Sequence, residues 1–136
     1  MRKINMSCII DDDPIFVYGT KKVMKEVDFC SDVIVYHNGQ DAINGLRNLV
    51  EEKKELPSLI FLDLNMPVMD GWEFLDDFIT IPNNNIEKVH VYVISSSIDA
   101  NDFIRARNYE VVNNYILKPI TPEDLVAVLK MFSNGL

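Results

Sequence analysis

The chain has 136 residues, of which 48% are hydrophobic and 25% charged, a composition typical of one globular domain with a single core. Its formal net charge of −8 argues against nucleic acid or an anionic membrane as the main partner, because like charges repel. No apolar run approaches the ~20 residues of a membrane span, and Cys8 and Cys30 lack the spacing of a disulfide or metal site. We therefore expect a cytoplasmic protein.

Short apolar runs alternate with longer segments of helical periodicity along the chain. The predicted strands are Cys8–Ile10, Val33–Tyr36, Leu59–Leu62, Val89–Ile94 and Tyr115–Leu117. Each strand is followed by a predicted helix with an apolar face. In chain order, the residues of these faces are Phe16, Thr20, Val23, Met24 and Val27 for the first helix; Ala42, Ile43, Leu46, Leu49 and Val50 for the second; Trp72, Leu75, Phe78 and Ile79 for the third; Phe103, Ile104 and Arg107 for the fourth; and Leu125, Val128, Leu129 and Phe132 for the fifth. Apolar strands alternating with amphipathic helices predict a doubly wound α/β fold with a parallel sheet covered on both sides.

Two helix starts are marked by capping residues. Asp13 precedes Pro14, which suits the first position of a helix after the first strand. The run from Thr121 to Asp124 combines a capping hydroxyl, a proline and two acids, and therefore predicts the start of the last helix.

Polar side chains stand at the ends of four predicted strands. Asp11 and Asp12 follow the first strand, Asp63 the third, Ser95 the fourth and Lys118 the fifth. In an open parallel sheet, active groups gather beyond the carboxyl ends of the strands. We therefore expect these residues, which are far apart in sequence, to converge at one edge of the sheet.

The chemistry of such a cluster follows from its charge. Close carboxylates repel by up to roughly 4 kcal/mol per pair at an intermediate dielectric, so one acid must stay protonated or a hard cation must bind. For Mg²⁺, Asp12 and Asp63 would supply direct oxygens, Asp11 would help through water, and the Asn65 carbonyl would be a further ligand. Asp63 would then be a nucleophile toward a phosphoryl group whose oxygens are covered by the cation, Lys118 and Ser95.

The motifs together resemble the receiver domain of two-component response regulators over nearly the whole chain. They are the acidic pair, Asp63 with its Asn65-Met66-Pro67 and Asp70-Gly71 continuation, Ser95, and Lys118-Pro119. The resemblance implies a flavodoxin-like fold with five helices and a five-stranded sheet of order 2-1-3-4-5, the order that such proteins are known for. We expect residues 1–136 to form one receiver domain without an output domain, although a fragment of a longer protein would look the same.

The resemblance also implies a role for each site residue. Asp63 would be the phospho-acceptor, Asp11 and Asp12 the metal-binding pair, Ser95 the switch hydroxyl, Lys118 the phosphate-binding lysine, Tyr115 the switch aromatic and Pro119 a proline after a cis peptide bond. Asn65 and Ser97 occupy the positions that tune dephosphorylation in this family. The implied partners are a sensor histidine kinase or a histidine phosphotransfer protein, and an unknown downstream protein that reads a surface from about Asp99 to Phe132.

Several alternatives stay open at this point. Tyr115 could equally be a packing tyrosine, and the serines from Ser95 to Ser97 could cap the next helix. The chain could be a pseudo-receiver that binds partners without being phosphorylated. An aspartate-nucleophile phosphatase is disfavoured, because Asn65 stands where those enzymes carry a second Asp. We expect no enzyme activity beyond the chain's own phosphorylation and autodephosphorylation, and the pathway stays open among motor control, phosphorelay and kinase inhibition.

Overall fold

A computed structural model describes residues 3–82, 86–96 and 99–133 of the protein. Within these residues, five strands alternate with five helices. The strands are β1 (Ile4–Ile10), β2 (Cys30–Tyr36), β3 (Leu59–Asp63), β4 (His90–Ser95) and β5 (Val112–Leu117). The helices are α1 (Pro14–Glu26), α2 (Gly39–Glu51), α3 (Gly71–Phe78), α4 (Ala100–Ala106) and α5 (Pro122–Ser133), with a 3-10 turn at Ile86–Lys88 before β4.

The strands form one parallel sheet of order β2-β1-β3-β4-β5, which confirms the predicted fold class. The register places the strand ends side by side. Ile10 of β1 pairs with Leu62 of β3, and Ser95 of β4 pairs with Leu117 of β5. The residues that leave β1, β3, β4 and β5 therefore emerge at one edge of the sheet.

Apolar side chains fill both sides of the sheet, because its central strands are buried on both faces. One cluster lies beneath α2 and α3 and includes Ile43, Leu46, Phe74, Leu75 and Phe78. The other lies beneath α1 and α5 and includes Val17, Met24, Leu125, Val128 and Leu129. Cys8 is buried, Cys30 is partly buried and both are free thiols, as their surroundings in the sequence indicated.

The structure differs from the predicted helix faces at α3 and α4. Ile79 lies just past the last residue of α3 and is half-exposed, so it is not part of the core. Phe103 and Ile104 of α4 are 44% and 62% exposed, and the buried residue of this helix is Ala106. Periodicity found the helix but assigned the wrong face to the core, because α4 is short and its apolar residues do not all face inward.

The loop between β3 and α3 is held by backbone and side-chain hydrogen bonds. The Gly71 N–H donates to the Leu64 carbonyl at 3.0 Å. Asp70 and Glu73 form a reciprocal capping box that fixes the first turn of α3. Val68, between these points, has a φ of 70° and an exposed side chain.

Across the described ranges 3–82, 86–96 and 99–133, no helix has both the length and the apolar character required to span a bilayer.

The close packing at Gly71 leads to a prediction about Gly71→Ala. A Cβ at this position would lie 2.6 Å from the Asp63 carbonyl oxygen and 2.8 Å from the Leu64 Cα, and these backbone atoms cannot move cheaply. We expect the substitution to lower the free energy of unfolding by about 1–3 kcal/mol, as overpacking does. Urea denaturation followed by circular dichroism would measure this loss.

Gly19→Ala is the matched control, because nothing lies within 4 Å of a Cβ built at this exposed position of α1. It should raise the free energy of unfolding by about 0.5–1 kcal/mol, the usual gain from replacing glycine in a helix. If the two substitutions changed the free energy of unfolding by the same amount, the close contact at Gly71 would not limit the size of the side chain there.

The positive φ of Val68 leads to a second prediction. A β-branched residue in the left-handed region is strained, whereas asparagine tolerates that region. Because the side chain is 81% exposed, its replacement loses little packing. We expect Val68→Asn to raise the free energy of unfolding by about 1 kcal/mol in urea denaturation. Val68→Ala, which keeps the penalty of an L-residue at this φ, should gain less, and a larger gain for alanine than for asparagine would contradict the strain argument.

Candidate active site

Three carboxylates converge at the carboxyl edge of the sheet, as the sequence predicted. One oxygen from each of Asp11, Asp12 and Asp63 lies within 4.8 Å of the others. Asp11 and Asp63 are buried, whereas Asp12 is exposed. The cluster therefore has a buried floor and an open side, with more negative charge than the protein interior usually holds without compensation.

The β1–α1 loop holds Asp11 in place. The Asp11 N–H donates to the Tyr36 carbonyl at 3.1 Å, so the end of β1 stays tied to β2. The Asp13 N–H donates to Asp11 Oδ1 at 2.8 Å, and the Asp13 side chain caps α1 by accepting from the Ile15 N–H. The predicted cap at Asp13 is thus confirmed. The same residue orients the Asp11 carboxylate, because its backbone N–H is the donor to Asp11 Oδ1.

Lys118 brings a positive charge into the cluster from the end of β5. Its Nζ lies 2.8 Å from Asp11 Oδ2 and 3.7 Å from Asp63 Oδ1. Asp11 Oδ2 is buried, and apart from this ion pair it accepts no hydrogen bond from the described residues. The Lys118 N–H donates to the Ser95 carbonyl at 2.8 Å, and the Lys118–Pro119 peptide bond is cis, as the resemblance implied.

Burial and neighbouring charge raise the pKa of the Asp63 carboxyl group and so make it a weaker acid than usual. Burial is the largest cause, and repulsion from Asp11 adds to it; together they raise the pKa of Asp63 from 3.8 to about 6. The Lys118 ammonium and a hydrogen bond from the Asn65 backbone N–H act in the opposite direction. The causes that raise the pKa of Asp63 outweigh those that lower it. A proton or a cation bound at Asp63 would therefore stabilise the cluster.

Ser95 is the last residue of β4, and its side chain is buried. It is not the cap of α4, because Asp99 fills that role by accepting from the Asn101 N–H at 2.8 Å. Ser96 is exposed, and Ser97 lies outside the described residues. The structure therefore places Ser95, rather than Ser96, beside the end of β5.

Two other predicted site residues occupy the periphery. Asn65 is exposed, and its backbone N–H faces the Asp63 carboxylate, while the role of its carbonyl as a metal ligand stays a prediction. Tyr115 is half-buried on β5, and its ring lies 6.0 Å from that of Phe103 on α4. Tyr115 thus joins β5 to α4.

One contact was missed by the sequence analysis. The Lys118 Nζ lies 4.4 Å from the centre of the Phe16 ring, in the range of a cation–π interaction. Periodicity assigned Phe16 to the core-facing side of α1, and the structure does pack it, half-buried, against the core beneath that helix. No sequence signal connects Phe16 to Lys118, because the two residues meet only when the start of α1 and the end of β5 converge at the same edge of the folded sheet.

The comparisons with known proteins identify the family and the fold. The family model described as the response regulator receiver domain matches residues 8–130. A two-component response regulator from Cytophaga hutchinsonii has a solved structure that is similar over 98% of this chain and 100% of its own, with a TM-score of 0.89 and 30% identity.

Curated relatives include longer proteins. The nitrate/nitrite response regulator protein NarL of Escherichia coli is 31% identical over 127 residues, which cover 93% of this chain and 54% of that protein. The hybrid signal transduction histidine kinase B of Dictyostelium discoideum is 26% identical over 141 residues, which cover 97% of this chain and 7% of the kinase. The chain thus spans about half of one relative and a small part of the other. Since the family model covers most of its length, the chain belongs to the response regulator receiver domain family of two-component signalling.

Proposed function

We propose that the protein accepts a phosphoryl group on Asp63 from a phosphohistidine of a sensor kinase or a phosphotransfer protein. The observation that carries this proposal is the placement of the Lys118 ammonium 2.8 Å from Asp11 and 3.7 Å from Asp63. An ammonium at this position can pair with a carboxylate in one state and with a phosphoryl oxygen in the other. Membership of the receiver family supports the same reaction.

Each residue of the cluster has a defined part in the transfer. A carboxylate oxygen of Asp63 attacks phosphorus, and the bond from phosphorus to the histidine nitrogen breaks, with its electron pair leaving on that nitrogen. Lys118 stabilises the negative charge of one phosphoryl oxygen, and the Ser95 hydroxyl donates to another. Hydrolysis of the acyl phosphate by water then restores the Asp63 carboxylate.

The cluster also fits Mg²⁺. Asp11, Asp12 and Asp63 offer hard oxygen ligands, and the Asn65 carbonyl would add another. Among the described residues, the buried Asp11 Oδ2 has the Lys118 ammonium as its partner, and a carboxylate oxygen has a second lone pair that can accept a further ligand. When bound, the cation supplies positive charge that lowers the repulsion between the Asp63 carboxylate and an incoming phosphoryl group.

The output of the reaction would be a change in the surface formed by α4, β5 and α5. Phe103, Ile104 and Leu117 are exposed there, and with Tyr115 they line a hollow of about 500 Å³. A hydrogen bond from the Ser95 hydroxyl to the phosphoryl group would draw Ser95 toward Asp63. Because Ser95 pairs with the end of β5, this movement would change the surface. The downstream protein would bind the face in one of its two states.

The proposed function predicts phosphorylation of the isolated chain. Incubation with acetyl phosphate and Mg²⁺ should add one phosphoryl group to the wild-type chain, seen by intact-mass spectrometry. Asp63→Asn should abolish the adduct, since an amide is a poor nucleophile. Asp32→Asn, which changes an exposed carboxylate on β2, is the control and should leave the adduct unchanged. A folded wild-type chain without an adduct would favour the pseudo-receiver alternative, in which the protein binds partners without phosphorylation.

The raised pKa of Asp63 predicts how the stability of the protein depends on pH in the absence of divalent cations. Because the pKa of Asp63 is about 6 in the folded protein and near 3.8 in the unfolded chain, the folded state holds its proton longer. The stabilising contribution of this proton is present below the unfolded pKa and is lost as pH rises from about 4 to 6. Ionised Asp63 therefore costs up to about 3 kcal/mol at pH 7.5.

Asp63→Asn should remove this cost. Urea denaturation should show the variant to be more stable than wild type by about 1–3 kcal/mol at pH 7.5. The difference should fall to about a third of that value at pH 4.5 and approach zero only below the unfolded pKa of 3.8. Saturating Mg²⁺ should stabilise wild type more than Asp63→Asn, because the variant lacks one carboxylate ligand. A stability difference that is the same at both pH values would show that burial does not perturb Asp63.

A further inference from the structure

Phe16 is the aromatic neighbour of Lys118, and its place in the structure suggests a role in the reaction. It lies in the first turn of α1, just after the cap at Asp13. Its ring packs against the core beneath α1 and α5 while its centre remains 4.4 Å from the Lys118 Nζ. The ring is thus supported by the core on one side and faces the ammonium that the proposed reaction requires.

The ring stabilises an ammonium in a different way from a carboxylate. A lysine ammonium has three N–H donors, and each carboxylate oxygen that it pairs with takes one of them. The negative face of an aromatic ring attracts the positive charge through its quadrupole, and this attraction grows when water is excluded. With Lys118 only 18% exposed, the Phe16 ring can hold the charge in the site while the donors remain directed to oxygens.

The position of the ammonium makes such support useful. Its Nζ is closer to Asp11 than to Asp63, at 2.8 Å against 3.7 Å, so attraction to Asp11 competes with any contact at the phospho-acceptor. Without a further contact, the position of Nζ would be set only by its attraction to the two carboxylates, and the ammonium would move toward the more strongly attracting one. A ring packed against the core restricts the region that Nζ can occupy and keeps it within reach of both acids.

We propose that Phe16 is a positioning residue for Lys118, which holds the ammonium where it can meet a phosphoryl oxygen on Asp63. The inference rests on the proposed function of Asp63. It assigns to α1 a part in the chemistry that depends on the aromatic face of one side chain, rather than on its volume alone.

The test measures the rate constant for phosphorylation by acetyl phosphate at saturating Mg²⁺, a reaction that needs no partner protein. Phe16→Leu keeps an apolar side chain but lacks the ring, and should lower the rate constant by about 3–10-fold if the cation–π interaction operates. Phe16→Tyr and Phe16→Trp retain an electron-rich face and should stay within about twofold of wild type. Phe132→Leu is the matched control, because Phe132 is another half-buried phenylalanine packed on the same side of the core and its ring contacts His90.

Fluorinated phenylalanines at position 16 separate the electrostatic role from packing. Successive fluorines weaken the negative face of the ring with little change of shape, so the logarithm of the rate constant should fall steadily with their number. Thermal unfolding of each variant would verify that the fold is retained. If wild type is phosphorylated but the rate constant does not change with the number of fluorines, the proposed role of Phe16 is wrong and the function of Asp63 is unaffected. A folded wild-type chain that accepts no phosphoryl group would instead overturn the function of Asp63, and the role of Phe16 with it.

Discussion

The ion pair between Lys118 and Asp11 is the interaction on which the candidate site depends. It joins the end of β5 to the end of β1 across the sheet, and its distance of 2.8 Å places a positive charge beside two buried carboxylates. A buried pair of this kind costs desolvation free energy that its attraction only partly repays, so it is weak evidence for stability. For the proposed phosphotransfer its value would lie in position, because the charge would be in place before a phosphoryl group bound.

The charges of the cluster do not balance, and this imbalance explains several features of the site. Three carboxylates face one ammonium, and the pKa of Asp63 rises as a consequence of burial and of repulsion from Asp11. The folded protein therefore carries a local cost that a cation or a proton would relieve. Unbalanced charge of this kind is common in functional sites, where the stability of the rest of the fold offsets the repulsion within the site.

The surrounding backbone has little freedom where the carboxylates emerge. Gly71 packs directly on the backbone of Asp63 and Leu64, and the capping box at Asp70 fixes the first turn of α3. Farther along, the Arg105 guanidinium lies 4.3 Å from the Trp72 ring, and the Tyr109 hydroxyl donates to Asp76 at 2.7 Å. These contacts tie α3 to α4 and to the segment that follows it, although α4 itself has only one buried residue, Ala106.

Much of this protein was determined by the sequence itself. Apolar runs and helical periods predicted the five strands, the five helices and the parallel sheet, because these patterns report burial directly. Polar residues at strand ends predicted the acidic cluster, since parallel strands end at one edge. Asp13 and Thr121 were recognised as caps because capping is local, and both side chains accept the expected backbone N–H.

Only the tertiary structure decided features that depend on contacts between distant segments. The exposure of Phe103, Ile104 and Ile79 follows from how little of α4 and of the end of α3 the core covers. The cation–π contact of Phe16 requires the start of α1 and the residue after β5 to meet at one edge of the sheet, and the backbone strain at Val68 requires the turn between β3 and α3. A periodic pattern carries information about one segment and its burial, whereas distances between side chains from different segments exist only in the folded chain.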